Sequence, residues 1–477
     1  MAHAPHAPSA PRWRGLFCNR TLNLRSVKAI GYDMDYTLIH YKVEEWERRA
    51  FETSRDKLVA EGLPLADAVF DPNDVIRGLI LDRDLGNVVK TNRFGYIKAA
   101  SHGTRPLDFD SLRKTYSRTI VDLADPRWIF LNTLFSLSEA SLYLQLVDRK
   151  DAEAPAAPVD YRALYDRVRR AIDLSHMEGA LKAEIMADPD RFVELDPELP
   201  LTLLDQRHSG KKLALITNSE WGYTRSMMTY AFDRYLPPGK TWRDLFDLVI
   251  VGARKPDFFS GRQPVFEVAD PDTGTLQPLI SGFKLGGCYF GGHAELVERL
   301  FNVDGADILY VGDHVYTDVK ISKDVRRWRT ALVLRELEAE IQAADSAHAA
   351  QEALGTLMEQ KTELENQLSQ IRLAVQRRKG GYTDPTPASV RELESDFARI
   401  RQRAVELDER IAPLAKAATE VLNPRWGLLM RAGNDKSHMA RHVERHADIY
   451  TSRVSNFLYA TPFVYLRSLR GSLPHDP

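Results

Sequence analysis

Five short apolar runs, in one order along the chain, constrain its fold more than any other feature. VKAIGYD ends at Asp33, LALIT spans 213–217, LFDLVIVG spans 245–252, DILYVGD spans 307–313 and TALVL spans 330–334. Each has strand length and is apolar on both faces, as strands inside a parallel sheet must be. Helical patterns lie between them, notably across 160–187. Strands alternating with helices predict an α/β fold around a parallel sheet. The stretch between the first two runs is far longer than one crossover needs, so an inserted cap is expected there. Turns and a hairpin are predicted between 260 and 292, where DPDTGT and GGCYFGG occur. That Gly-rich text lacks the spacing and the Lys-Ser/Thr ending of a phosphate-binding P-loop.

A chain of 477 residues can hold two or three domains. Its net charge of −2 gives no basic field for a nucleic acid polymer or an anionic membrane. No apolar run reaches the roughly 18 residues that a membrane span requires. The Ala/Pro-rich opening, MAHAPHAPSAPRWRG, reads as a disordered leader over 1–16. Cys18 and Cys288 cannot build a disulfide framework, which predicts a reducing, cytoplasmic setting.

After residue 335 the pattern changes. Leu354, Leu357, Leu364, Leu368, Ile371 and Val375 step by threes and fours, interrupted by Lys361. After KGGYTDPTP, the pattern resumes at Val390, Leu393, Phe397, Ile400, Ala404, Leu407, Ile411 and Leu414. This predicts a helical hairpin over 336–420 with coiled-coil-like seams. Residues 421–477 are expected to be helical and to pack on the core.

The chemistry gathers at the strand ends. In GYDMDYTLIHY, Asp33 and Asp35 follow the first strand and point the same way by alternation. Open α/β sheets bind ligands at the C-terminal ends of their strands. Two carboxylates so close repel unless a cation intervenes or one is protonated. A hard divalent ion such as Mg²⁺ resolves the conflict with oxygen ligands. One carboxylate could then attack phosphorus while the other handles a proton. The second strand ends in Thr217, Asn218 and Ser219, neutral donors suited to phosphoryl oxygens. The third is followed by GARKPDFF, which brings Lys255 to the same edge, and the fourth by VGDHVYTD, which offers Asp313 and Asp318 to a metal.

These motifs resemble the haloacid dehalogenase superfamily. GYDMDYTL, ITNSEWGYT, ARKPDFF and ILYVGDHVYTDV, together with RGLILDRDLGN, FLNTLFSLSE and ADIYTSRVSNFLY, are similar to its cytosolic purine 5′-nucleotidases, selective for IMP and GMP, from about Phe17 to about Arg470. The resemblance implies a Rossmann-like parallel core of 17–45 and 205–335. It also implies a large, mostly helical cap over 46–204, inserted after the first motif strand. Asp33 would be the nucleophile that forms an aspartyl-phosphate. Asp35 would be the general acid, then the base for water, and would lend its carbonyl to Mg²⁺. Asp313 would be the other metal ligand with Asp318 in support, while Thr217, Asn218, Ser219 and Lys255 would hold the phosphate. In VRRAIDLSHMEGALK, the positions Arg169, Asp173, His176 and Lys182 match the family's base-binding helix, and Phe135 matches an aromatic that stacks on the base. Arg169 and Asp173 are four apart on one helical face, so both can reach one ligand. An arginine can donate to a 6-oxo group and an aspartate can accept from the adjacent ring N–H, a pattern adenine reverses.

Met177 and Glu178 depart from the family and point to altered strength of base binding. Asn132, Tyr316 and Arg445 could serve a second nucleotide site, but Asp324 stands where a family lysine would help hold phosphate, so weak or altered effector activation is expected. Family likeness also implies a homo-oligomer, tetramer or dimer, with transfer to a nucleoside acceptor chemically open. A phosphatase for another small phosphoester, or a non-catalytic nucleotide-binding scaffold using the hairpin, are the competing readings. His438, His442 and His446 recur every four residues in HMARHVERH, which is not HExxH and is expected to be a solvated or interface face.

Overall fold

The computed structural model describes residues 10–153, 160–177, 179–382, 388–469 and 471. Its centre is a ten-stranded sheet. In spatial order the strands are Phe17–Cys18, Ile449–Thr451, Arg329–Val333, Ile308–Gly312, Ala29–Tyr32, Lys212–Ile216, Leu248–Val251, Gly287–Gly291, Val265–Asp270 and Thr275–Pro278. The run from Ile449–Thr451 to Gly287–Gly291 is parallel throughout. The outer pairs are antiparallel, and the expected hairpin is the last of them. The four residues of Leu248–Val251 and the five of Ile308–Gly312 are all buried, which is why these runs carry no polar alternation. Beneath them Ile216, Ile250, Phe258, Phe259, Tyr310 and Trp328 belong to one apolar cluster.

The central strand tolerates no side chain at Gly31. A Cβ there would lie 2.8 Å from the Tyr310 ring on the neighbouring strand, so glycine is required by close approach.

The inserted region is less helical than expected. Alongside helices Val43–Ala60, Leu137–Glu153 and Tyr161–Met177 it holds a five-stranded sheet with antiparallel pairing throughout. Its strands are Ile80–Asp82, Asn87–Thr91, Ile97–His102, Arg105–Pro106 and Trp128–Phe130, and the first three bury polar side chains, which hides the period-two signal. Asp82, for example, is buried and accepts from Arg127 Nε at 2.7 Å and Nη2 at 2.6 Å.

Two further expectations are corrected. Residues 10–16 do not all belong to a disordered leader: Arg12–Arg14 form a 3-10 turn, and Arg14 Nη2 pairs with Glu198 at 2.5 Å. Residues 1–9 lie outside the described residues. The C-terminal region is not simply helical either, since Ile449–Thr451 adds a parallel strand to the main sheet. Three residues are too few to show a period.

Residues 339–428 form a separate compact unit. In it, helices His348–Gly380 and Val390–Thr419 pack as a hairpin along a buried seam of Leu357, Leu364, Ile400, Leu407 and Ile411. A Ser389–Glu392 capping box starts the second helix. No helix among the described residues is long and apolar enough to cross a membrane.

Candidate active site

The first strand ends at Tyr32, and Asp33 N extends its ladder by donating to Val311 O at 2.9 Å. The chain then turns sharply. Leu38 N and Ile39 N both donate to Met34 O at 2.9 Å, and Tyr36 takes a left-handed conformation with φ 55°. A tyrosine adopts that conformation only where its surroundings impose it. The Tyr36 ring packs against Phe135 at 4.7 Å and Tyr41 at 5.2 Å between centroids. This turn presents two aspartates with different surroundings.

Asp33 is buried and bonded to a cation. Its Oδ1 lies 2.7 Å from Lys255 Nζ, which also lies 2.7 Å from Asp318 Oδ1 and 3.1 Å from Tyr310 Oη. Tyr310 Oη in turn donates to Ile216 O. Asp318 Oδ2 accepts from His314 N at 3.1 Å, inside a π-helical turn over Val315–Lys320. Asp33, Asp313 and Asp318 each offer an oxygen, all within 4.8 Å of one another. Asp313 Oδ2 is buried with no hydrogen-bond partner among the described residues. Two of the three buried carboxylates, Asp33 and Asp318, share one ammonium. Burial pushes the Asp33 carboxyl up to about 7 against the pull of Lys255, with Asp318 and Asp35 adding to the rise. Burial, then Asp318 and Asp33, raise Asp313 well above the carboxylate range. Burial opposes the Lys255 ammonium, but Asp318 and Asp33 hold it well above its ordinary value. An all-oxygen cluster with excess negative charge and an orphaned carboxylate oxygen fits a hard divalent cation.

Asp35 stands apart from this cluster. Its Oδ1 accepts from Tyr41 Oη at 2.5 Å and its Oδ2 from Ser219 Oγ at 2.7 Å. These bonds hold the side chain and leave aside the backbone carbonyl, the atom expected on the metal.

The second-strand loop divides its work. Thr217 is fully buried, and its Oγ1 accepts from Ser219 N at 3.0 Å. Asn218 clamps the Lys255 backbone: Oδ1 accepts from Lys255 N at 2.6 Å and Nδ2 donates to Lys255 O at 3.2 Å. From the cap, Lys182 Nζ donates to Ser219 Oγ at 3.2 Å and sits 4.8 Å from the Tyr223 ring centroid.

Arg169 and Asp173 are half exposed and paired, Nε to Oδ1 at 3.2 Å. Arg169 Nη1 also donates at 2.8 Å to Glu139, a buried carboxylate that accepts from Tyr165 Oη at 2.5 Å. Glu139 thus fixes the guanidinium. The helix carrying Arg169 runs through His176 to Met177, but the side chains of His176 and Met177, and all of Glu178, lie outside the described residues.

Sequence reasoning missed Tyr41, Tyr223, Glu139, Tyr310 and Arg77. Arg77 is buried, pairs with Glu336 and donates to Asp313 O at 3.4 Å. All five fall inside quoted motifs, but no periodicity distinguishes them. The histidine row is corrected: His438 and His446 are buried, and His442 packs on Phe130 at 5.2 Å and Tyr316 at 5.4 Å between centroids. That face of helix His438–His446 turns inward. Asp324 pairs with Lys320 at 3.1 Å.

Residues 16–477 match the profile of the 5′ nucleotidase family. This chain belongs to that family. The strand-end motifs that resemble the haloacid dehalogenase superfamily stand with it, and the protein is a 5′-nucleotidase, a phosphoric monoester hydrolase. It is 27% identical over 475 residues to 5′-nucleotidase domain-containing protein DDB_G0275467 of Dictyostelium discoideum, covering 97% of this chain and 74% of that one. It is 28% identical over 484 residues to human 5′-nucleotidase domain-containing protein 2, covering 97% and 85%. A haloacid dehalogenase-like family hydrolase from Xanthomonas campestris is similar at 12% identity over 64% of this chain and 82% of its own, with a TM-score of 0.24, too low to bear on the fold.

Proposed function

We propose that this 5′-nucleotidase hydrolyses purine nucleoside 5′-monophosphates, 6-oxopurines such as IMP and GMP before others, through an aspartyl-phosphate on Asp33. The observation that carries the reading is the contrast between the two aspartates. Asp33 sits in a buried acidic cluster against a lysine, while Asp35 is held two residues away by neutral and phenolic donors. Asp33 Oδ would bond to phosphorus as the P–O5′ bond breaks, and the proton on Asp35 would pass to O5′ of the leaving nucleoside. Water would then attack phosphorus, give its proton to Asp35 and release Asp33. Lys255 would balance charge on the phosphoryl oxygens, and Thr217, Asn218 and Ser219 would shape the cradle that receives them. Asp33, Asp313 and Asp318, with the Asp35 carbonyl, would hold Mg²⁺, which when bound neutralises phosphoryl charge.

Arg169 and Asp173 would turn from each other to the base, with Glu139 keeping the guanidinium aimed. Phe135, beside Tyr36, would stack on the purine, and His176 and Lys182 would complete the pocket wall. Because any acceptor hydroxyl could replace water, phosphotransfer to a nucleoside belongs to the same proposal. So do a cytoplasmic location and a homo-oligomeric state. Phosphate release from IMP, GMP, AMP, CMP, UMP and simple sugar phosphates, with Mg²⁺ or EDTA, tests the reading. Mg²⁺-dependent release led by IMP and GMP is expected. Release led by a pyrimidine or sugar ester removes the base assignments at Arg169 and Asp173.

A further inference from the structure

We propose that Tyr41 is the positioning residue for the acid–base carboxyl of Asp35, and that Ser219 carries the same role from the cap through Lys182. The proposal rests on the reading of Asp35 as general acid. Both oxygens of that carboxyl are accounted for, Oδ1 by Tyr41 Oη at 2.5 Å and Oδ2 by Ser219 Oγ at 2.7 Å. Each donor is itself anchored. Tyr41 is buried, its ring lies 4.4 Å from Trp46 and 5.2 Å from Tyr36 between centroids, and its Oη is 2.9 Å from Tyr223 Oη. Its backbone pairs with Val193 in a short antiparallel ladder, which pins the residue from a second direction. Ser219 Oγ receives a hydrogen bond from Lys182 Nζ, on the cap helix Ala180–Ala187.

The line Tyr223–Tyr41–Asp35–Ser219–Lys182 is thus a set of fixed dipoles around one carboxyl, separate from the Asp33–Lys255–Asp318 group. Tyr41 Oη and Ser219 Oγ are the hydroxyl donors in that line. The chemistry needs such donors. When the Asp35 proton passes to O5′, the P–O5′ electron pair takes it up and a carboxylate is left behind. Tyr41 and Ser219 already point at that carboxylate, so no reorganisation is required as charge develops. A misplaced acid loses rate steeply, because about 1 Å of displacement can cost roughly 100-fold. Lys182, expected to touch substrate, also reaches the acid through Ser219.

The test compares leaving groups. A nucleoside leaves as an alkoxide and needs a proton, whereas p-nitrophenol leaves as a stable anion and does not. The ratio kcat/KM covers steps only through transfer to Asp33 and release of the first product, so the later attack by water does not enter. Tyr41→Phe is expected to lower kcat/KM for the preferred nucleoside 5′-monophosphate by about 30- to 100-fold, while changing it for p-nitrophenyl phosphate by less than about threefold. Equal losses on both esters, or no loss on the nucleotide, overturn the proposal. Where Tyr41→Phe does not fold, Tyr223→Phe, which removes the hydroxyl 2.9 Å from Tyr41 Oη, carries the comparison with the same criterion. If the unaltered protein turns over no nucleotide, the nucleotide reading fails by itself. Glycerol phosphate then serves as the alkyl ester, with the same split expected and the same equality overturning it.

Discussion

Lys255 Nζ lies 2.7 Å from Asp33 Oδ1, and both groups are almost wholly out of solvent. The ammonium is also the cation that serves Asp318 at 2.7 Å. Removing it leaves two buried carboxylates uncompensated, which costs far more than a surface pair would. Lys255→Met is expected to destabilise the fold by about 3–5 kcal/mol and to lower kcat by at least about 100-fold. Chemical denaturation and phosphate release read the two effects. A variant as stable as the parent would show that the pair contributes nothing to folding.

Asp33→Asn separates chemistry from stability. The amide cannot form an acyl phosphate, so turnover should fall at least about 1000-fold. The fold should be spared, because burial disfavours the charged Asp33 that the amide replaces. Turnover near the parent value would remove Asp33 as nucleophile. A matching loss of thermal stability would make the turnover result uninformative about chemistry, and circular dichroism distinguishes that case.

Much of this site was legible because each part ends an apolar strand. Asp33, Thr217, Lys255 and Asp313 all follow runs whose continuous hydrophobicity marks a central parallel strand, and such strands deliver their C-terminal ends to one edge. What was not legible depends on contacts distant in sequence. Asn218 was expected on phosphate, yet its amide clamps Lys255, 37 positions away. Glu139 reads as an ordinary helix-opening acid until Arg169 and Tyr165 arrive from another helix. The cap sheet was hidden because strands such as Asn87–Thr91 bury polar side chains, and the strand Ile449–Thr451 because it is three residues long.

Gly312 offers a way to move the Asp318 carboxylate without changing its charge. A Cβ at that position would lie 2.6 Å from Asp318 Cγ, so the side chain must shift away from Lys255 and from His314 N. Gly312→Ala is expected to cost about 1–3 kcal/mol through overpacking. If the proposed Mg²⁺ site includes Asp318, half-maximal activation should also need about tenfold more Mg²⁺. Gly355, inside helix His348–Gly380, is the control, since a Cβ there meets nothing within 4 Å. Gly355→Ala should instead stabilise by about 0.5–1 kcal/mol. An unchanged Mg²⁺ requirement in Gly312→Ala would place Asp318 outside the metal site.

His40 should make the protein acid-sensitive in a defined window. It is buried, and neither ring nitrogen has a hydrogen-bond partner among the described residues. Burial, with Arg335 and Arg453 adding, pushes the ring down to about 3 from its ordinary 6.5. Below pH 6.5 the unfolded chain therefore takes up a proton that the folded chain refuses until about pH 3. The unfolded state binds more protons in that interval, so stability rises with pH there and falls as pH drops. The stability that neutral His40 permits is fully present above pH 6.5 and is lost progressively toward pH 3. His438, His442 and His446 are depressed as well, so a single pH profile would mix several residues. The difference between the parent and His40→Gln isolates one of them. Above pH 6.5 that difference should be flat, and below it should move in favour of the variant by about 1.4 kcal/mol per pH unit at most. Urea titrations between pH 7.5 and 4.5 measure it, and a difference that stays constant across the range would mean that His40 takes up its proton as readily in the folded protein as in the unfolded chain.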